Sequence, residues 1–330
     1  MARAPRRGRP PPRRAPERDE RVPRRPRAAR GAGVPRRARR GARGGRGGRA
    51  RRRRGRAGRA RGARVIHTGA RAALAAIAAA VILCAVSAAP ARAAGFELDL
   101  LDALLAAYTR EVEDAAGVRV DYRGLRAEPR FAALLAGLAA EPAPPPARRA
   151  EHLAYWINAY NVLAIALVVQ GGPVDSIRDL GGLLRPVWKR PAGTAGGRAV
   201  SLDEIEHGIL RPLGEPRVHA AINCASVSCP SLRREAFRAE RLEAQLEDAL
   251  RRFLADPRKG ARLEDGGAAL RVSPIFEWFA KDFAAHGGVR AYLAARLPRE
   301  SAAALAARGD AVELRYFDYD WALNARAGSR

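Results

Sequence analysis

Cys224 and Cys229 stand five residues apart in a stretch that begins Val218-His219-Ala220-Ala221-Ile222 and closes at Pro230. The residues between the two thiols are small or polar apart from Val227, which leaves room for a substrate beside the sulfurs. A thiolate next to an imidazole is a nucleophile toward an acyl carbon. His219 and His207 are the candidate bases. Glu206 adjoins His207 and Asp203 lies one helical turn before it, so an acid can orient the ring and stabilise its charge. Asn223, or the backbone N–H groups of residues 224–229, are candidates to hold an oxyanion. The same residues allow two further readings. A Cys224–Cys229 disulfide would pin the turn and imply no catalysis. Cys224, Cys229, His219 and His207 would supply four ligands for tetrahedral zinc, at a spacing that is not a standard one. On the residues alone all three stay open.

Helices must do most of the positioning. Apolar residues at helical spacing predict helices over 96–113, 131–140, 148–170 and 237–254. The helix over 148–170 carries Trp156, Asn158, Tyr160 and Asn161, and Gly171-Gly172-Pro173 stops it. Asparagine is unfavourable inside a helix, so Asn158 and Asn161 on one face have a purpose. They either line a polar cleft with Trp156 or hydrogen-bond a neighbouring loop backbone. Ser201 and Glu204 form a capping box that opens a helix carrying Glu206 and His207 to Pro212. Val218–Ile222 is compatible with a short strand, as are residues 118–122, 198–200 and 312–317. A hairpin is expected within 263–272 around Asp265-Gly266-Gly267. Ser273-Pro274 starts a helix with Ile275, Phe276, Phe279 and Phe283 on it, and another is expected over 289–297. The sum is an α+β chain: one mainly helical domain with a small antiparallel or mixed sheet.

The formal charge of +27 is misleading. Residues 1–64 hold 27 arginines against three acids, and from residue 65 onward 34 basic residues face 31 acidic ones. Nucleic-acid binding is therefore not expected of the folded domain. Residues 1–64 lack the apolar content to fold. They read either as a disordered Arg/Gly/Pro-rich tail for nucleic acid or anionic lipid, or as an upstream extension of the reading frame. The second is preferred, because residues 65–93 form a secretory signal: a basic flank, an apolar run from Ala72 to Ala89, and Ala91-x-Ala93. Cys84 lies in that run. Cleavage leaves residues 94–330 in the periplasm or outside the cell, where disulfides persist, and membrane contact is confined to an uncleaved signal segment. No phosphate loop or zinc-finger spacing is present, and no cofactor is expected.

At this point the sequence resembles a known family, the domain of unknown function numbered 547. The likeness rests on Tyr155-Trp156-Ile157-Asn158-Ala159-Tyr160-Asn161, on Leu202-Asp203-Glu204-Ile205-Glu206-His207-Gly208-Ile209-Leu210-Arg211, and on Pro216 to Pro230. A tail block, Tyr319-Asp320-Trp321-Ala322-Leu323-Asn324, completes it, so that it spans about residues 98–325. The resemblance implies that Asn158, Asn161, Glu206, His207, His219, Asn223, Cys224, Cys229, Asp320 and Trp321 belong to the domain's characteristic set. It supplies no activity. The expectation is a thiol-dependent hydrolase or acyltransferase acting on an amide in peptide or cell-wall material. Cys224 or Cys229 would be the nucleophile, His207 or His219 the base and Glu206 the orienting acid, with Asn158, Asn161, Trp156, Asn223, Asp320 and Trp321 lining the cleft. The alternatives are a disulfide-stabilised envelope binding or scaffolding domain and a Cys/His metal-binding domain.

Overall fold

The computed structural model describes residues 96–182 and 185–328. The readings of residues 1–64 and of the signal segment 65–93 lie outside them. Among the described residues the fold is α+β and mainly helical, with three small sheets.

Helix α1 (Leu98–Tyr108) buries Leu101, Leu104 and Leu105 at helical spacing. It stops five residues short of the expected end, because Thr109 is β-branched and its strand pairing prevails. Thr109–Glu111 (β1) pairs antiparallel with Val118–Val120 (β2). Two helices follow, α2 (Tyr122–Ala127) and α3 (Pro129–Ala140), each with an acidic side chain bonded at its start. The centre of the molecule is α4 (Arg149–Gly171). It is the described helix long and apolar enough to cross a membrane, but it is buried within the protein. A helix that is apolar on all sides needs such a sheath.

Pro191–Ala195 (β3) and Arg198–Ser201 (β4) form a hairpin across Gly196-Gly197, both at positive φ. That glycine pair between short strands is the turn signal for it. Ser201 Oγ accepts from the Glu204 N–H at 3.1 Å, as the capping box requires, but the Glu204 carboxylate turns to Arg198 instead of back to the cap. The segment it opens, Glu204–Leu210, is a π-helix rather than the α-helix expected. The strand expected at 218–222 is also replaced. Val218–Ala221 (α5) is one helical turn, its N–H groups bonded to Glu215, Pro216 and Arg217 carbonyls. Among the described residues no strand pairs with it, and local bonds win.

Helix α6 (Leu242–Ala255) begins later than its apolar pattern, after a tight turn at Ala239–Arg241. It packs on a mixed sheet. Ala261–Glu264 (β5) and Ala269–Val272 (β6) are antiparallel across the Asp265-Gly266 turn, and Glu313–Tyr316 (β7) runs parallel to β6. The helix expected from Ser273 breaks at Phe279 into α7 (Ile275–Trp278) and a 3₁₀ segment, Ala280–His286. Helices α8 (Gly288–Ala294) and α9 (Arg299–Arg308) complete this half. One apolar cluster gathers around α4 and a second around β5, β6, Phe276 and Phe283.

The tail at 319–326 joins the parts. Val227 and Ser228 N–H groups donate to the Ala322 and Asp320 carbonyls, Leu323 N–H donates to Asp175, and Val120 and Arg326 exchange bonds with Asn324 and Val120 carbonyls.

Candidate functional site

Asn158 and Asn161 build the site from behind rather than line it. Asn158 accepts from Phe237 N–H at 2.9 Å and donates to its carbonyl at 2.8 Å. Asn161 donates to the Ala221 carbonyl at 3.0 Å and accepts from Asn223 N–H at 2.7 Å. Both are buried. Asn223 repeats the device, accepting from Ala225 N–H at 2.8 Å and donating to the Pro230 carbonyl at 2.7 Å. Asn324 and Tyr122 extend the chain behind it. These asparagines fix a loop whose backbone pairs with the tail through an isolated bridge, Ser226 to Leu323, rather than through a strand. Ala225 is held at φ 64°, a left-handed conformation that an L-residue adopts only when its surroundings impose it.

The loop so held brings Cys224 and Cys229 together as a disulfide, with Cα atoms 6.3 Å apart. Cys229 is buried and Cys224 only partly so. Cys229 Sγ accepts from the Cys224 N–H at 3.0 Å and from the Tyr319 hydroxyl at 3.1 Å. The same hydroxyl lies 3.6 Å from Cys224 Sγ and 3.2 Å from Ser226 Oγ. Beneath the loop Lys259 is buried, its ammonium donating to the Cys229 and Ala116 carbonyls at 2.8 and 2.9 Å. Burial pulls its pKa down to about 8.

The disulfide opens on a cleft of about 160 Å³ at the junction of the two apolar clusters. His207, His219, Glu206, Asp203, both cysteines and Trp321 line it, together with Tyr160, Trp188, Trp278, Phe279 and Tyr319. The catalytic candidates from the sequence therefore converge. Of the residues expected in the cleft, Trp321 is there. Asn158, Asn161 and Asn223 act on the loop backbone as described. Trp156 is buried elsewhere, edge-on to Tyr155 and His152. Asp320 is exposed and serves the tail, its carboxylate accepting from Ala322 N–H at 2.9 Å.

The acid–histidine pairings differ from those expected. His219 Nε2 meets Asp282 Oδ2 at 2.8 Å, and its ring stacks on Phe279 at 4.1 Å. Burial lowers the pKa of His219 in spite of that bond. Burial opposes ionisation of Asp282, but hydrogen bonds from His219 and Arg211 hold it well below the usual carboxylate range. A neutral ring beside a carboxylate carries its proton on Nε2, which leaves Nδ1 as the acceptor. His207 is more exposed, with Arg211 donating to Nδ1 at 2.7 Å and Asp203 3.8 Å from Nε2. Glu206 holds neither histidine. It accepts from the Tyr160 hydroxyl at 3.2 Å, and desolvation pushes its pKa up to about 7. Asp282, Trp278 and Tyr319 are the site residues that sequence reasoning missed. Tyr319 belongs to the tail block 319–324, just before Asp320 and Trp321.

No group of three or more His, Cys, Asp or Glu side chains among the described residues is arranged to hold a metal ion. As a disulfide, Cys224 and Cys229 offer no thiolate ligands in this state.

Residues 146–254 match the family model described as "Protein of unknown function, DUF547", and the family read from the motifs holds over that stretch. It includes the asparagine pair, Glu206, both histidines and both cysteines; Asp282, Trp278 and Tyr319 lie beyond it. No curated protein and no solved structure matches the chain.

Proposed function

We propose that this cleft performs thiol–disulfide exchange through Cys224 and Cys229. The observation that carries the reading is the asymmetry of the pair. Cys224 faces an open cleft, whereas Cys229 is buried with two hydrogen-bond donors on its sulfur. A partner thiolate attacks Cys224 Sγ, the S–S bond breaks, and its electron pair goes to Cys229 Sγ. The Cys224 N–H and the Tyr319 hydroxyl steady that leaving thiolate. A second partner thiolate then attacks the partner's own sulfur in the mixed disulfide and releases Cys224. The partner departs oxidised and the pair remains as a dithiol. Glu206, titrating near neutral pH, is suited to exchange the protons that this conversion moves.

Envelope material is the expected substrate, and a periplasmic or secreted setting suits a pair that persists as a disulfide. The test is equilibration of the full chain with glutathione redox buffers, followed by alkylation and mass spectrometry. A reversible two-electron midpoint with mixed disulfide trapped at Cys224 is expected. A pair that equilibrates only after denaturation points instead to a structural clamp.

A second reading, amide hydrolysis or acyl transfer by the reduced Cys224 thiolate, is favoured by the His219–Asp282 pair at 2.8 Å. Asp282 then takes the orienting role first given to Glu206. Release of an acyl group from a chromogenic amide by the reduced chain, abolished in Cys224→Ser, checks it.

A further inference from the structure

Three of the chain's four tryptophans lie in this one cleft. Trp321 packs with Trp188 at 5.8 Å between ring centroids, with Tyr319 at 4.4 Å and with Trp278 at 6.1 Å. Trp278 remains 43% exposed, the large apolar side chain most open to solvent among the described residues. Leaving a tryptophan half in water beside a reactive sulfur forgoes burial that the fold offers its other rings. The cleft volume of about 160 Å³ is close to that of an apolar cavity that takes up a single benzene ring.

The charged side chains that line the cleft are acidic. Asp203 and Glu206 line it, and among the described residues no lysine or arginine does. Two guanidiniums lie over lining rings, Arg178 at 5.3 Å from Trp321 and Arg211 at 4.9 Å from Phe279, and Arg211 is bonded to Asp282 at 2.7 and 2.9 Å. An anionic thiol entering here meets carboxylates among the lining side chains. A basic group meets Asp203, whose side chain is 33% exposed, and the faces of tryptophan rings.

Resting on the exchange reading, we propose that the site's substrate is a cysteine in a neutral or basic polypeptide segment with an aromatic residue beside it. The aromatic side chain lies against Trp278 and Trp321, the neighbouring basic or uncharged backbone faces Asp203 and Glu206, and the cysteine sulfur reaches Cys224. Small anionic thiols are poor partners.

The experiment compares three thiols against the oxidised full chain. They are N-acetyl-Trp-Cys-Arg-amide, N-acetyl-Gly-Cys-Gly-amide and glutathione. Rates of mixed-disulfide formation at Cys224 are normalised to each thiol's thiolate fraction. The Trp-Cys-Arg peptide is expected to exceed glutathione by about tenfold or more, with the glycine peptide between. In Trp278→Ala and, independently, in Asp203→Asn, that ratio falls toward one. Asp203 is on the surface, so its variant keeps the test alive if Trp278→Ala fails to fold. Equal normalised rates for the three thiols overturn this proposal and leave the exchange reading standing. A glutathione rate above that of the peptide overturns it too. If no thiol exchanges with the native protein, both readings fall.

Discussion

One hydroxyl, that of Tyr319, stands within reach of both sulfurs, and its removal gives the sharpest test of how the pair is tuned. In Tyr319→Phe the Cys229 thiolate loses a donor at 3.1 Å. A hydrogen bond of this kind is worth about 1 kcal/mol, so the thiol pKa of Cys229 in the reduced protein rises by roughly half to one unit. Thiolate absorbance against pH, read in a Cys224→Ser background, measures it. Glu206 makes the second residue-scale prediction. Its folded pKa of about 7 lies above the ordinary value of 4.5, so between these values the folded state holds the extra proton. Stability therefore falls as pH rises through that window, and the penalty is complete above it. Glu206→Gln is expected to match the parent near pH 4 and to exceed it at pH 8 by up to about 3 kcal/mol. Denaturant titrations at the two pH values check this. The sulfurs, the histidines and Glu206 were legible in the sequence, because reactive residue types stand close together there. Asp282 was not, being an ordinary acid in a segment that reads as core helix; only the break at Phe279 turns it toward His219.

At the scale of elements, α4 holds the cysteine loop through side chains rather than through a sheet. Asn161→Leu leaves a buried carbonyl and a buried N–H without partners, at Ala221 and Asn223. A loss of about 2–4 kcal/mol is expected, read as a lower unfolding midpoint and as faster alkylation of the reduced cysteines. The hydrophobic periodicity gave the helices Leu98–Tyr108, Pro129–Ala140 and Arg149–Gly171 and the Asp265-Gly266 hairpin, because those elements bury a regular stripe or turn at a glycine, but it missed the short helix Tyr122–Ala127. It misplaced the elements nearest the site. Residues 218–221 are apolar and short, and such a run suits a strand or a helical turn equally until a neighbour decides. The π-helical wind at Glu204–Leu210 has no pattern in the residues that would announce it. Such segments occur disproportionately at functional sites, and this one carries Glu206 and His207 to the cleft.

For the molecule as a whole, the disulfide closes only a short loop, five residues along the chain. By loop-closure entropy its contribution is about 2 kcal/mol. The Cys224→Ser/Cys229→Ser double variant is therefore expected to fold, with its denaturation free energy lowered by roughly that amount. Collapse of the fold would instead support the scaffolding reading, in which the bridge exists to hold the structure. The same view explains why the cleft could not be drawn from the sequence. It forms between two cores, and its walls come from segments as far apart as Tyr160 and Trp321.

The tail at 319–326 carries a consequence for how the site comes into being. Tyr319 lies 90 residues after the cysteine whose sulfur it contacts. A nascent chain delivers Cys224 and Cys229 long before the tail arrives to cover them, and contacts of such long range form late. Until then the thiols face solvent without the aromatic wall, the tuning hydroxyl or the Asn324 clamp. On the exchange reading, reactivity is thus conferred at the final step of maturation, and the unfinished chain exposes two ordinary thiols.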